Sequence, residues 1–341
     1  MVVILIDVAT IKKYDASCMY KIYDKWPEMA LSSYESSHNP VDFKNIDHIV
    51  FAGMGGSGAI GDLFSAILSK TNIHVSTVKG YLLPKTVDAN TLVVVTSISG
   101  NTDESIQILK SANKLNCKTL AFSSGGKMRS YCYNNRLDYK YIQKFHSARA
   151  SFVNYVYVEL QVLEPIIPID KNDILESIHK MNTISQNISS NNIDYSNDSL
   201  SLAYWITGIP LMYYPWGLQA AAIRFKNSMQ ENSKSHAFIE DIIESCHNGV
   251  VAWERSSQLK PILLEGCDDY IKTKERWKII KEYFRNHKIE YKEVVSIDGS
   301  ILSKLITLIY FFDYVSIYYA IISKLDPTPV KSIEFIKSKL G

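Results

Sequence analysis

Neither sign of charge prevails in this sequence. Its 37 Lys and Arg face 35 Asp and Glu, a formal net charge of +2. A broad nucleic-acid surface needs a basic excess, so that class is excluded, and a charged ligand has to be met by local groups. Cysteine is scarce: Cys18, Cys117, Cys132, Cys246 and Cys267 are odd in number and form no Cys-x-x-Cys motif. That usage points to a reduced, cytoplasmic protein and away from a disulfide framework. No His-x-x-x-His or comparable ligand spacing occurs, so no metal and no cofactor are expected. No basic residues precede the apolar start Met1–Asp7, which is too short for a signal sequence, and no stretch reads as a membrane span. Glycine is also sparse, 15 residues in 341, yet four of them fall within Gly53–Gly58.

What is present is an ordinary globular composition, 46% hydrophobic and 21% charged, in a chain long enough for two cores. Lys12–Tyr34 reads as a leading helix within an N-terminal segment 1–44. From residue 45 to 184 strands and helices alternate, with strands expected at Ile46–Ala52, Ile73–Val78, Leu92–Thr96, Thr119–Phe122 and Tyr139–Ile142. Such alternation means an α/β fold with a doubly wound parallel sheet. Residues 185–201 are rich in Ser and Asn and read as an exposed linker. A second domain of the same architecture is expected over 202–341. Its strands are read at Ile209–Tyr214, Gly249–Trp253, Pro261–Leu264 and Tyr291–Val295, with helices at Gly217–Met229 and Ile301–Lys324. The last of these is apolar enough for a domain or subunit interface.

Two loops carry the chemistry. His48–Ala52 runs into Gly53-Met54-Gly55-Gly56-Ser57-Gly58, and Leu92–Val95 runs toward Ser97-Ile98-Ser99-Gly100-Asn101-Thr102. Each loop precedes a helical pattern. Glycines let backbone N–H groups approach an anion, and a helix N-terminus adds unpaired donors and a positive dipole end. No Gly-Lys-Ser or Gly-Lys-Thr follows, which excludes the Walker phosphate loop. Gly53, Gly55 and Gly58 satisfy G-x-G-x-x-G, but no acid lies near Asn72–Val78, where a ribose ligand would be expected. Two hydroxyl-bearing loops at strand ends describe a sugar-phosphate pocket, against the blander reading of two tight turns.

Candidate catalytic groups lie outside these loops. Glu231 falls at the end of the helix that starts near Gly217. His247 precedes Asn248 just before an expected strand. Arg149 stands between Ala148 and Ala150 after the last strand of the first domain, and Lys337 is near the C-terminus. By position alone Glu231, His247 and Lys337 read as solvated or structural groups, whereas Arg149 leans functional.

Taken in order, the two loops, Glu231-Asn232-Ser233-Lys234, and Cys246-His247-Asn248 with Trp253-Glu254 resemble the bifunctional phosphoglucose/phosphomannose isomerase family of archaea. Its members are built from two sugar-isomerase (SIS) domains, and the likeness runs from about residue 45 to the end. The resemblance implies that Gly55, Gly56, Ser57, Ser97, Ser99 and Thr102 hold the 6-phosphate of a hexose, and that Glu231 is the base moving a proton between C1 and C2. It further implies that Arg149 steadies the enediolate, that His247 opens the ring from a neighbouring subunit, and that Lys337 lies near the ring oxygen. The family tyrosine of the second loop is Ile98 here, the family proline before the arginine is Ala148, and Thr328 is the nearest counterpart of a threonine tied to dual sugar use. A homodimer acting on hexose 6-phosphates, with no nucleic acid or membrane partner, is therefore expected. A transaminating isomerase would carry a glutaminase domain and a sugar-phosphate-sensing regulator a basic helix-turn-helix, and neither reads before residue 45.

Overall fold

The computed structural model describes residues 6–340 and divides them into two compact units. One unit comprises Lys25–Asn182 with Gly299–Leu305. The other comprises the residues up to Asp24, Thr183–Asp298 and the chain from Ile306 onward. The units therefore interleave along the sequence, whereas four consecutive segments were expected. The segment Gly299–Leu305 joins the first unit through Glu176, whose Oε2 accepts from Ser300 N (2.9 Å) and Ser303 Oγ (2.8 Å).

The first unit holds β1 (His48–Ala52), β2 (His74–Val78), β3 (Thr91–Ser97), β4 (Lys118–Ser123) and β5 (Asp138–Tyr141). All pairings are parallel and the order is β2-β1-β3-β4-β5. Every residue of β1 and β3 is buried, as their unbroken apolar runs require of central parallel strands. Val50, Val93, Val95 and Ala121 pack with Ile108, Leu109, Met128 and Cys132. Phe51 stacks on Phe64 with centroids 4.7 Å apart. Each such aliphatic or aromatic side chain contributes about 1.5–3 kcal/mol on burial.

The second unit holds β6 (Ile209–Tyr214), β7 (Phe238–Asp241), β8 (Leu259–Glu265) and β9 (Lys292–Val295), again parallel, in the order β7-β6-β8-β9. The first three strands thus follow the same winding in both sheets. Leu211, Tyr213 and Leu263 meet Trp253, Trp277 and Phe284 in its core. Arg224 and Asp313 form an ion pair, 2% and 0% exposed at the side chains, with Arg224 Nε 3.0 Å from Asp313 Oδ1. Ser228 Oγ donates to the same carboxylate. Removing one member of such a pair leaves a buried charge without its counterion. Asp313→Ala is expected to lose about 3–5 kcal/mol in denaturant unfolding, and an unchanged midpoint would contradict the pairing's role.

Four local expectations are corrected. Lys12–Tyr34 is three helices, Val8–Tyr14, Met19–Asp24 and Trp26–Tyr34. The Asp15 carboxylate interrupts it by accepting from Met19 N and Tyr20 N, with Cys18 at φ 56° and Pro27 opening the third helix. Gly249–Trp253 is no strand: Gly249–Glu254 is a 3₁₀ turn begun by Asn248 and anchored by Trp253 Nε1 on Tyr213 OH at 2.8 Å. The Ser/Asn-rich stretch 185–201 is helical at both ends and not exposed throughout. Ser189, Ser190 and Asn197 are buried, and Asn197 Nδ2 donates to the Asn192 carbonyl at 2.7 Å. Finally, Ile301–Ile322 is long and apolar enough to cross a membrane, contrary to the absence of any such stretch. Its most apolar window is 89% buried, which makes it a core helix and removes it as a free subunit surface.

Candidate active site

The site begins at the carboxyl ends of β1 and β3. These strands are neighbours whose connections run to opposite sides, the point where an open α/β sheet leaves a crevice. After β1, Gly55 sits at φ +56° immediately before the helix Gly56–Leu68, a conformation in which a side chain is strained. No side chain caps that helix, and Ser57 N turns back onto the Met54 carbonyl at 3.1 Å, so the helix start is shaped by backbone alone and points its positive dipole end toward the loop. The helix Asp103–Ala112 after β3 is likewise without a side-chain cap.

The two loops are tied together by hydrogen bonds. Ser57 Oγ accepts from Ile98 N at 3.3 Å, and Ser97 Oγ donates to Thr102 Oγ1 at 3.0 Å. The Ile98 carbonyl accepts from Ser124 Oγ (2.6 Å) and Tyr155 OH (3.3 Å). Gly100 N closes the turn on the Ser97 carbonyl at 2.9 Å, and Ser99 Oγ accepts from Asn101 N at 3.2 Å. Ser57 and Ser97 are buried, Ser99 and Thr102 are half-buried, and Gly55 is exposed. The Ile98 side chain is 2% exposed and belongs to the core, which accounts for an apolar residue in a polar loop.

Arg149 is brought to this cradle. It lies in the turn before the helix Phe152–Leu163 and is 5% exposed. A Cβ on Gly56 would stand 3.6 Å from the Ala148 carbonyl oxygen and 3.7 Å from Arg149 Cα, so the two backbones are in contact. Trp26 Nε1 holds the turn by donating to the Ala150 carbonyl at 2.9 Å, and Ser151 Oγ donates to the carbonyls of Phe145 and Ser147. These bonds fix the turn that carries Arg149.

Behind the cradle lies a residue that sequence reading passed over. Glu159 is the one acid in the mostly apolar helix Phe152–Leu163 and is fully buried. Its Oε1 accepts from Thr96 Oγ1 at 2.8 Å, next to Ser97, while Oε2 has no hydrogen-bond partner among the described residues. Burial pushes its carboxyl up to about 8, against the lowering effect of the Thr96 bond. A carboxyl with a folded pKa above its unfolded value stabilises the fold fully below pH about 4.5 and loses that contribution as pH rises through about 8. The protein is therefore expected to melt lower at pH 8.5 than at pH 5.5, and Glu159→Gln to flatten that slope in thermal unfolding. The signal was visible as a single acid in a helix otherwise mostly apolar.

The remaining candidates belong to the other unit. Glu231 is half-buried in the last turn of the helix Gln219–Ser233. His247 is exposed in the turn after Ile242–Ser245, with its N–H on the Glu244 carbonyl at 2.9 Å. Lys337 is exposed on the helix Lys331–Lys339, which has no buried residue.

Comparison with known proteins agrees with both units. The SIS domain family matches residues 42–129, and the bacterial phospho-glucose isomerase C-terminal SIS domain family matches residues 195–340. A bifunctional phosphoglucose/phosphomannose isomerase of Caldicellulosiruptor bescii is 30% identical over 340 residues, 95% of this chain and 99% of that protein. A protein of the same name from Aquifex aeolicus is 30% identical, covering 86% of this chain and 90% of its own. Among solved structures, a hypothetical protein from Thermus thermophilus is similar in fold, with a TM-score of 0.71 at 12% identity over 98% of this chain and 89% of that one.

Proposed function

Because the chain belongs to the bifunctional phosphoglucose/phosphomannose isomerase family, we propose that it interconverts fructose 6-phosphate with glucose 6-phosphate and with mannose 6-phosphate. The observation that carries this reading is the paired hydroxyl cradle at the β1/β3 switch with Arg149 against its first loop.

In this mechanism the 6-phosphate sits on Ser57, Ser97, Ser99 and Thr102 and on the N–H groups of Gly55 and Gly56. Glu231 takes the proton from the carbon next to the carbonyl and returns it to the neighbouring carbon. Transfer of this kind needs a carboxylate within hydrogen-bond reach of the reacting carbon. Negative charge then develops on oxygen, where a fixed cation stabilises it. Arg149 suits that role because a guanidinium stays charged and does not quench the enediolate with a proton. His247, contributed from a neighbouring subunit, exchanges the proton that opens the sugar ring. Lys337 lies toward the ring oxygen. A homodimer is consistent with the exposed His247 and with Phe335 and Ile336 exposed on the Lys337 helix. The free cysteines accord with a reducing, cytoplasmic compartment.

A coupled assay tests the reading: fructose 6-phosphate supplied, glucose 6-phosphate and mannose 6-phosphate measured separately. Formation of both supports it. Tight binding of fructose 6-phosphate without turnover would instead support a sugar-phosphate sensor.

A further inference from the structure

The helix that carries Glu231 ends in an unusual way. Lys234, the residue after Ser233, adopts the left-handed conformation at φ 55° and ψ 26°, where glycine is the usual occupant. The turn folds the lysine back over the helix end. Its Nζ donates to the carbonyls of Glu231 (3.0 Å) and Asn232 (3.0 Å) and to those of Asp326 (2.8 Å) and Pro327 (3.1 Å). Four carbonyl oxygens thus surround one ammonium that has three N–H donors to share. The charge also faces the negative end of the helix dipole.

The arrangement spans a sequence separation of more than 90 residues and joins two segments of the same unit. Asn232 is fixed independently, with Nδ2 on Ser316 Oγ at 2.8 Å, and Ser316 Oγ in turn donates to the Asp313 carbonyl. The helix end is therefore held at its side by the helix Ile301–Ile322 and at its tip by the Asp326–Pro327 turn. The turn itself is closed by Thr328 N on Asp326 Oδ1 at 2.8 Å.

We propose that Lys234 is a positioning residue for the reaction: its ammonium clamps the Glu231-bearing helix end to the Asp326–Pro327 turn and so sets the reach of the Glu231 carboxylate. This rests on the assignment of Glu231 as the base. Its consequence is selective. The phosphate cradle lies in the other unit and keeps its own bonds, so substrate binding is spared while proton transfer suffers. A displacement of about 1 Å at a reacting group costs on the order of 10²-fold in rate.

The experiment compares kcat and KM of wild type, Lys234→Met, Lys234→Gly and Glu231→Gln in the fructose 6-phosphate assay. Methionine keeps the stem without the charge. Glycine suits the left-handed backbone and removes the side chain, so it reports on the ammonium even where methionine disturbs folding. Both are expected to lower kcat roughly 10–100-fold with KM changed less than about 3-fold. Wild-type kcat in the glycine variant, while Glu231→Gln is inactive, would overturn the role of Lys234 alone. An inactive wild type, or a fully active Glu231→Gln, would overturn the isomerase mechanism and this inference with it.

Discussion

Glu231→Gln is expected to lower kcat for isomerisation by roughly 10²–10⁴-fold or more, with KM for fructose 6-phosphate nearly unchanged. Glutamine matches glutamate in size and keeps hydrogen-bonding capacity, so the half-buried end of the helix Gln219–Ser233 has no reason to rearrange. What it cannot do is accept the proton from carbon. An interaction needed only in the transition state appears in kcat, whereas uniform binding appears in KM. The phosphate is held by residues of the other unit, which the substitution does not touch. Steady-state kinetics in both directions check this; a variant retaining wild-type kcat would remove Glu231 from the base role.

Gly100→Ala is expected to disable the phosphate cradle as a whole. Gly100 has φ +69°, and a Cβ there would stand 1.8 Å from the Gly125 carbonyl oxygen and 2.6 Å from its carbon. Those are backbone atoms, and Gly125 is itself at φ +123° before the helix Gly126–Asn135, so neither side has a rotamer with which to yield. The Ser97–Gly100 turn and the bond from Met128 N to the Gly100 carbonyl would both be lost or shifted. Strain of this kind costs at least about 2 kcal/mol, and misplaced hydroxyls at Ser97, Ser99 and Thr102 would raise KM more than about 10-fold. Gly80→Ala is the control, because nothing lies within 4 Å of a Cβ at that position. Thermal unfolding together with substrate titration separates the two effects, and equal behaviour of the two variants would contradict the account of the loop.

The parts legible in the sequence are those where local pattern and burial agree. β1 and β3 are fully buried, end at glycine or hydroxyl clusters, and appear within two residues of their expected limits. β6 appears over the very residues expected. Where a tertiary partner decides, the pattern misleads. Val250-Val251-Ala252 has strand character, but Trp253 is drawn to Tyr213 and Asn248 starts a turn, so the run is 3₁₀. β7 escaped notice because it is a four-residue edge strand, half-exposed, with Glu240 and Asp241 in its short run. The contact of Ala148 and Arg149 with Gly56 is a close approach between backbones nearly a hundred residues apart, which no local pattern encodes. Lys234 was within a recognised motif, yet its partners at Asp326 and Pro327 lie too far along the chain to be read.

The most direct test is a crystal structure of the assembled protein with fructose 6-phosphate bound in its open-chain form. The ester oxygens should rest on Ser57, Ser97, Ser99 and Thr102, with the Glu231 carboxylate about 3 Å from the C1 or C2 hydrogen-bearing carbon and the Arg149 guanidinium facing the O1–O2 edge. A sugar phosphate seated away from the two loops, or a Glu231 side chain turned out to water beside a bound sugar, would contradict it.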